Sequence, residues 1–553
     1  MDNLYQVNTK GTIARIDLSS SSVTTNLANE YYRFLGGRGF GSSLLFKELD
    51  KNTLPLDKNN IMIFATGCFT GTSFPGSSRI QLVSKNAINH GILFSSGGGN
   101  FGAKLKQSGL DAIVIEGKSN KPIYIYIDNG KIELKDALHL WGKTTWETNQ
   151  IIKKELGDET IETACIGPAG ENQALISCII IDKAHALAWG GSGAIMGSKN
   201  LKAIAVKGNR PVKTHNPQKF NTEINKYKWV LLSSTTSHAL REHGTHGTAG
   251  AGGLTGNTPT SVKNLQEEFW DPVKTAKLKE QAYKKFEIGR TNCFNCPLYC
   301  LHMYEMPNSD ERLICEGMHA NSVRGFGSNW DVDDPFSVLK AHALCNQLGL
   351  DVDGVSSVVA WAIECFENGL ITKNDTHGLN LRWGNAEHLL ILIEDIAYKR
   401  RFGKTLAQGV YRASKITGKQ SQQYAMHIKK IGLNEQGLRS HKAWAFGMAV
   451  STRGSGHLGG SPQTENVQIP KHVGKWLFGM EEAGVPTSYN NKEKLVVWYE
   501  FYKALIDSLG VCYFNTGWYS IALADINTLA TIYTALTGIE INKQELQNIG
   551  RYI

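Results

Sequence analysis

No apolar run in this chain approaches the roughly 20 residues that a membrane-spanning helix needs. The opening residues, Met1-Asp2-Asn3-Leu4-Tyr5-Gln6, lack the basic and apolar segments of a signal peptide. Both absences point to the cytoplasm and to no direct membrane insertion. No block of Lys and Arg with interleaved aromatics occurs, which argues against nucleic acid. The formal charge of +9 then suggests an acidic partner or an anionic small-molecule substrate. Without a secretory signal, the ten cysteines read as reduced thiols or metal ligands rather than a disulfide framework. Proline is scarce, 14 residues against 57 glycines, so backbone approaches something closely at many points.

What is present divides by texture. The first two hundred residues alternate like strands, at 12–18, 60–66, 79–84, 112–116, 160–166, 174–181 and 203–207. Residues 122–128 run into Asn129-Gly130 and then 131–134, the pattern of a hairpin with a type I′ turn. A helix is expected at 144–156. Beyond about residue 217 the apolar spacing is helical, at 335–348, 355–368, 386–400, 404–417 and 492–509, with Gly349 placed to stop a helix. The fold class is therefore α+β, with a sheet-rich N-terminal domain (1–208) followed by two mostly helical domains (209–420 and 421–553).

Glycine-rich stretches occur at 36–41, 95–102, 167–170 and 190–197. None is a P-loop, and none opens a βαβ unit with an acidic residue at the right distance, so a classical dinucleotide site is not expected. Tight turns and backbone amides cradling a phosphate-bearing cofactor remain. Arg79, after such a turn, is placed for a phosphate contact.

The densest signal is Cys293-x2-Cys296-x3-Cys300. A four-thiolate zinc site usually uses two CxxC pairs, and no second pair exists. An iron–sulfur cluster accepts three local thiolates and one distant one, and Cys512 is the fourth candidate. Cys68, Cys165, Cys178, Cys345 and Cys365 lie among apolar residues and read as core.

Taken with Ala65-Thr66-Gly67, residues 97–103 and 166–172, and Gly193 to Ala203, these stretches occur in an order that resembles the aldehyde ferredoxin oxidoreductase family of tungsten bis-pterin enzymes. The resemblance covers essentially the whole chain. It implies a sheet-rich saucer under two pterins that chelate tungsten or molybdenum, a [4Fe–4S] cluster held by Cys293, Cys296, Cys300 and Cys512, and Mg2+ bridging the pterin phosphates near Ser96 and Gly98. It also places Arg79 between cluster and pterin. The family's repeated pterin motif appears as Asp507, Gly510, Val511 and Cys512, and as Asn346, Gly349, Leu350 and Asp351, where Asn replaces the leading Asp.

By the same resemblance, Glu316 activates water or a hydrated aldehyde, and His457 hydrogen-bonds the substrate oxygen. The implied reaction takes an aldehyde to a carboxylate. Ferredoxin or an iron–sulfur electron-transfer subunit takes the electrons, and the enzyme is expected to be oligomeric and anaerobic. Other features are similar to the tungsten subunit of class II benzoyl-CoA reductase. There Cys315 would ligate tungsten, Glu242 and His246 would donate protons, and an aryl- or acyl-CoA would be reduced. An inactive structural homologue is the third expectation.

Overall fold

The structure is a computed structural model that describes residues 11–250, 258–306, 313–433 and 437–553. Two six-stranded sheets make up the first two hundred residues. The first holds β1 (Gly11–Asp17), β2 (Ser22–Ala28), β3 (Met62–Thr66), β4 (Ile80–Lys85), β5 (Ile92–Gly97) and β6 (Ala112–Glu116), in the order β2-β1-β6-β3-β4-β5. The second holds β7 (Ile123–Asp128), β8 (Lys131–Asp136), β9 (Glu162–Cys165), β10 (Ile179–Ile181), β11 (His185–Leu187) and β12 (Leu201–Lys207), in the order β11-β10-β9-β12-β7-β8. Their facing apolar residues, among them Phe64, Leu82, Ile125 and Ile204, form one buried core. β3 and β6 are buried along almost their whole length, which explains their near-continuous apolar runs.

Local sequence accounts for the boundaries. The β7–β8 hairpin turns at Asn129 and Gly130, both with positive φ (49° and 92°), as a type I′ turn requires. Helix α1 (Gly37–Glu48) packs across the first sheet. Helix α2 (Thr145–Leu156) starts at a capping box between Thr144 and Glu147 and stops at Gly157 in the left-handed region.

The rest is mostly helical, around two large cores. Its framework is α3 (Pro217–Ser233), α4 (Pro335–Leu348), α5 (Val352–Glu367), α6 (Lys492–Leu509) and α7 (Ile526–Thr537). Three expectations are corrected. Residues 404–417 are two helices, Gly403–Leu406 and Val410–Thr417, because Gly409 between them has φ +76°. Residues 174–178 are not strand, since their backbone turns away to bond the helical part, and only Ile179–Ile181 joins the sheet. The helical texture also concealed a third sheet, β13 (Glu287–Thr291), β14 (Leu301–Met306) and β15 (Leu313–Glu316). Among the described residues no helix is long and apolar enough to cross a membrane.

Candidate active site

A cavity of about 470 Å3 lies where the two N-terminal sheets meet the helical part. Two helix ends point into it, and they are held alike. Helix α4 ends at Gly349 (φ +73°) and α6 at Gly510 (φ +79°). A Cβ on Gly349 would stand 2.7 Å from the Gly167 nitrogen, and one on Gly67 would stand 2.1 Å from the Gly510 nitrogen. Each contact is backbone on backbone, so no side chain fits. Main-chain hydrogen bonds repeat the correspondence. Cys178 N donates to Gly349 O and Asp351 N to Ile176 O, both at 2.9 Å. Arg79 N donates to Gly510 O (3.2 Å) and Cys512 N to Gly76 O (3.0 Å). The first sheet thus grips one helix end and the second sheet grips the other.

The side chains at the two ends differ. Asp507 is buried and ion-paired with Lys503, one turn earlier on α6. Gln81 Nε2 reaches its Oδ1 at 3.4 Å, and Arg38 stands 3.9 Å from its Oδ2. Burial lowers Lys503 to about 8 against the pull of Asp507. At the other end Asn346 Nδ2 donates to His342 Nε2 (3.0 Å), and His342 Nδ1 meets Ser322 Oγ at 2.7 Å. Burial, with the nearby His319, lowers His342 to about 3, so this end is neutral. Asp351 is occupied in capping α5, accepting from Asp353 N (3.0 Å) and Gly354 N (3.3 Å), and also takes Trp189 N at 3.0 Å.

The cysteine triplet occupies the connection between β13 and β14. Asn295 and Tyr299 carry positive φ, both 47°, which coils the connection tightly. Asn295 Nδ2 donates to Phe74 O and Gly76 N to Asn295 O, both at 3.0 Å, so the loop sits on the same turn that binds the Cys512 backbone. Arg79 Nη2 lies 2.9 Å from Cys512 Sγ while Nη1 reaches Ser96 O at 3.4 Å. Burial and the neighbouring thiols push Cys296 up to about 12 and Cys300 well above the usual thiol range. Burial opposes the charge on Arg79, but Cys512, Cys293 and Cys300 more than restore it. Four soft donors grouped around a half-buried cation fit an iron–sulfur cluster. Among the described residues no three His, Cys, Asp or Glu side chains close on one point, as a single zinc ion with bonds of about 2.3 Å demands.

The family model for the aldehyde ferredoxin oxidoreductase N-terminal domain matches residues 13–208, and that for domains 2 and 3 matches residues 222–553. The chain belongs to the aldehyde ferredoxin oxidoreductase family. It is 35% identical over 510 residues to the tungsten-containing aldehyde ferredoxin oxidoreductase of Pyrococcus furiosus, covering 92% of this chain and 82% of that one. The enzyme of the same name from Thermococcus kodakarensis is 34% identical over 513 residues, with the same coverage. An aliphatic sulfonate oxidoreductase, WOR-like subunit, of Pyrococcus furiosus is 30% identical over 528 residues, covering 90% of this chain and 81% of that one. In fold the chain matches the active-site complex of benzoyl coenzyme A reductase with 1,5-dienoyl-CoA. The TM-score is 0.83 at 23% identity, over 98% of this chain and 88% of that one. This aldehyde ferredoxin oxidoreductase family member is therefore an oxidoreductase, and membership implies a tungsten pterin cofactor.

The remaining expected residues are divided by the structure. His457 lines the cavity at the start of the turn His457–Gly459, lying flat between Trp444 (5.0 Å, 15°) and Trp518 (6.1 Å, 19°). Glu316 sits just behind the wall. Its carboxylate accepts from Thr291 Oγ1 at 3.4 Å, and its carbonyl faces His342 Nε2 (3.2 Å) and Asn346 Nδ2 (3.4 Å).

Three other expected residues lie outside the cavity lining. Cys315 pairs with Tyr304 across β14–β15 while Glu316 pairs with Met303, so the two neighbours face opposite sides of the sheet. Cys315 is 0% exposed and packs in the helical core, where burial pushes its thiol up. Glu242 has a side chain 48% exposed and lies 3.7 Å from Arg290, outside the cavity. His246 is buried one layer back, shares a 2.7 Å hydrogen bond with Tyr304 OH, and is lowered to about 3 by burial and the surrounding histidines, which disfavours its imidazolium form near neutral pH.

The structure adds cavity residues absent from the sequence reading: His185, His319, His342 and Lys503. His342 and Lys503 were findable, each exactly one helical turn before a pterin-motif residue. His185 and His319 carry no local signal.

Proposed function

We propose that this chain is a tungsten (or molybdenum) bis-pterin, [4Fe–4S] enzyme that oxidises an aldehyde to a carboxylate and passes the electrons to ferredoxin. The observation that carries the reading is Arg79, which touches Cys512 Sγ with one nitrogen and the Ser96 carbonyl with the other. It joins the thiol group to the wall of the cavity. The tungsten–pterin group would supply two-electron chemistry, with the cluster as a one-electron exit.

The chain's own residues have definable tasks. The Asp507 carboxylate accepts N–H donors from one pterin, and the Asn346 amide both donates and accepts at the other. Ser96 and Gly98 border the space for bridging phosphates and Mg2+. His457, fixed by its two tryptophans, directs a ring nitrogen to the substrate oxygen. Glu316 takes the proton released from water once its carboxylate leaves Thr291 for the cavity. Cys300 is the least buried of the four thiols and neighbours Tyr299, 41% exposed, so electrons leave on that side. A positively charged enzyme attracts an acidic electron carrier there. The reductase-like alternative needs Cys315 at the metal, and strand alternation turns it away.

The test is anaerobic purification, metal and iron analysis, and aldehyde-dependent viologen reduction, with aliphatic sulfonates as comparison substrates. Stoichiometric tungsten or molybdenum with aldehyde turnover is expected. Protein lacking both metals, or metal-replete protein inert to every aldehyde, would overturn the reading.

A further inference from the structure

Three of the four cysteines of the cluster site have a side-chain donor beside the sulfur. Arg79 Nη2 lies 2.9 Å from Cys512 Sγ, Asn515 Nδ2 lies 3.5 Å from Cys296 Sγ, and His185 Nε2 lies 4.0 Å from Cys293 Sγ. Cys300, facing outward, has none among the described residues.

The His185 contact is built rather than incidental. His185 begins β11, the edge strand of the second sheet, with its backbone in register with Ile181. Cys293 belongs to the helical part, yet Phe294 N donates to Gly99 O at 3.1 Å and holds the cysteine against the end of the first sheet. Gly98 lies between them. A Cβ there would stand 2.9 Å from Cys293 Sγ and 3.0 Å from His185 Nδ1, so sulfur and imidazole share the space a side chain would fill. The remaining face of His185 borders the cavity.

We propose that His185 is a positioning residue for electron transfer: its Nε2–H bonds the Cys293 sulfur and raises the cluster's reduction potential, tying that thiolate to the second sheet as Arg79 ties Cys512 to the first. The inference rests on the iron–sulfur reading above. Reduction adds negative charge that is shared with the thiolate sulfurs, and a hydrogen bond to sulfur stabilises the reduced form more than the oxidised one. Arg79 and His185 approach different thiolates, Cys512 and Cys293, so each can be altered without removing the other's hydrogen bond. Asn515, which also lines the cavity, acts in the same direction on Cys296.

The experiment is an EPR-monitored redox titration of the anaerobically purified holoenzyme. His185→Phe fills the site without a donor and is expected to lower the midpoint, with about a tenfold fall in the reduced-to-oxidised ratio at fixed potential, or ~59 mV for one electron. His185→Gln keeps an N–H and is expected to stay near wild type, while Asn515→Leu falls as the Phe variant does. An unchanged or raised midpoint in His185→Phe overturns the proposal. Should that variant assemble no cluster, wild-type enzyme labelled with 15N-histidine decides by pulsed EPR. A histidine nitrogen coupled to the reduced cluster supports the bond, and its absence overturns it. A wild-type enzyme with no cluster signal overturns the iron–sulfur reading itself, whereas a wild-type signal unmoved in His185→Phe overturns only the role of His185.

Discussion

At the residue scale the two pterin-motif positions are the most informative pair. Asp507 is held by Lys503 and approached by Arg38, whereas Asn346 is held by a neutral histidine. Lys503→Met would leave Asp507 buried with the neutral Gln81 amide and, as its nearest cation, the more distant Arg38. Breaking a buried pair by removing one partner costs about 3–5 kcal/mol, and denaturant titration of the apoprotein should show that loss. Asn346→Asp would bury a carboxylate beside His342 and should cost about 1–3 kcal/mol. Adding His342→Lys recreates the Lys–Asp pair of the other end, so the double variant should be more stable than Asn346→Asp alone in the same titration. Much of this was legible in the sequence, because helical spacing puts position i−4 beside each motif residue. Cys315 and Glu316 show the limit. Adjacent in sequence, they were expected at one metal, but only strand pairing reveals that they point apart.

At the scale of elements, the site depends on glycines that let strand turns and helix ends touch. Gly510→Ala would place a methyl 2.0 Å from Thr70 Oγ1 at φ +79°. Gly157, which ends α2, also has positive φ (+65°) but nothing within 4 Å. Gly157→Ala should therefore cost only the left-handed penalty, about 1–2 kcal/mol. Gly510→Ala should cost clearly more and lower the iron content of purified protein, and thermal melts with iron analysis compare the two. The hairpin at Asn129-Gly130 and helices α4 and α6 were legible because their stop signals are local. The β13–β15 sheet was not. Its strands are short and lie in a region where helical spacing dominates, and their pairing partners are chosen by tertiary contact. That sheet is what presents the cysteine triplet.

On the scale of the whole molecule, burial holds four histidines well below the ordinary value of 6.5: His246 and His342 at about 3, His185 and His319 at about 4. Below pH 6.5 the unfolded chain binds protons that the folded chain refuses until pH 4 or lower. Stability is then complete above about pH 6.5 and falls as the pH drops toward 4. Melting temperatures of the apoprotein should decline across that window, and His342→Gln should shallow the slope by roughly one proton. The change from a sheet-rich N-terminal region to a mostly helical remainder was readable along the chain. The cavity was not, because its walls come from three sheets and two distant helix ends.

The paired grip on Gly349 and Gly510 also orders events on the ribosome. The first sheet is made early, but the helix end it holds comes last, after Cys300 by the entire stretch to Cys512. At about 5–20 residues per second the nascent chain carries the three thiols of the triplet for roughly ten to forty seconds before Cys512 is made. Cofactor loading is therefore a post-translational step. Until it occurs, the exposed thiols are open to oxygen and stray metal, from the synthesis of Cys300 until the site closes around its cofactor.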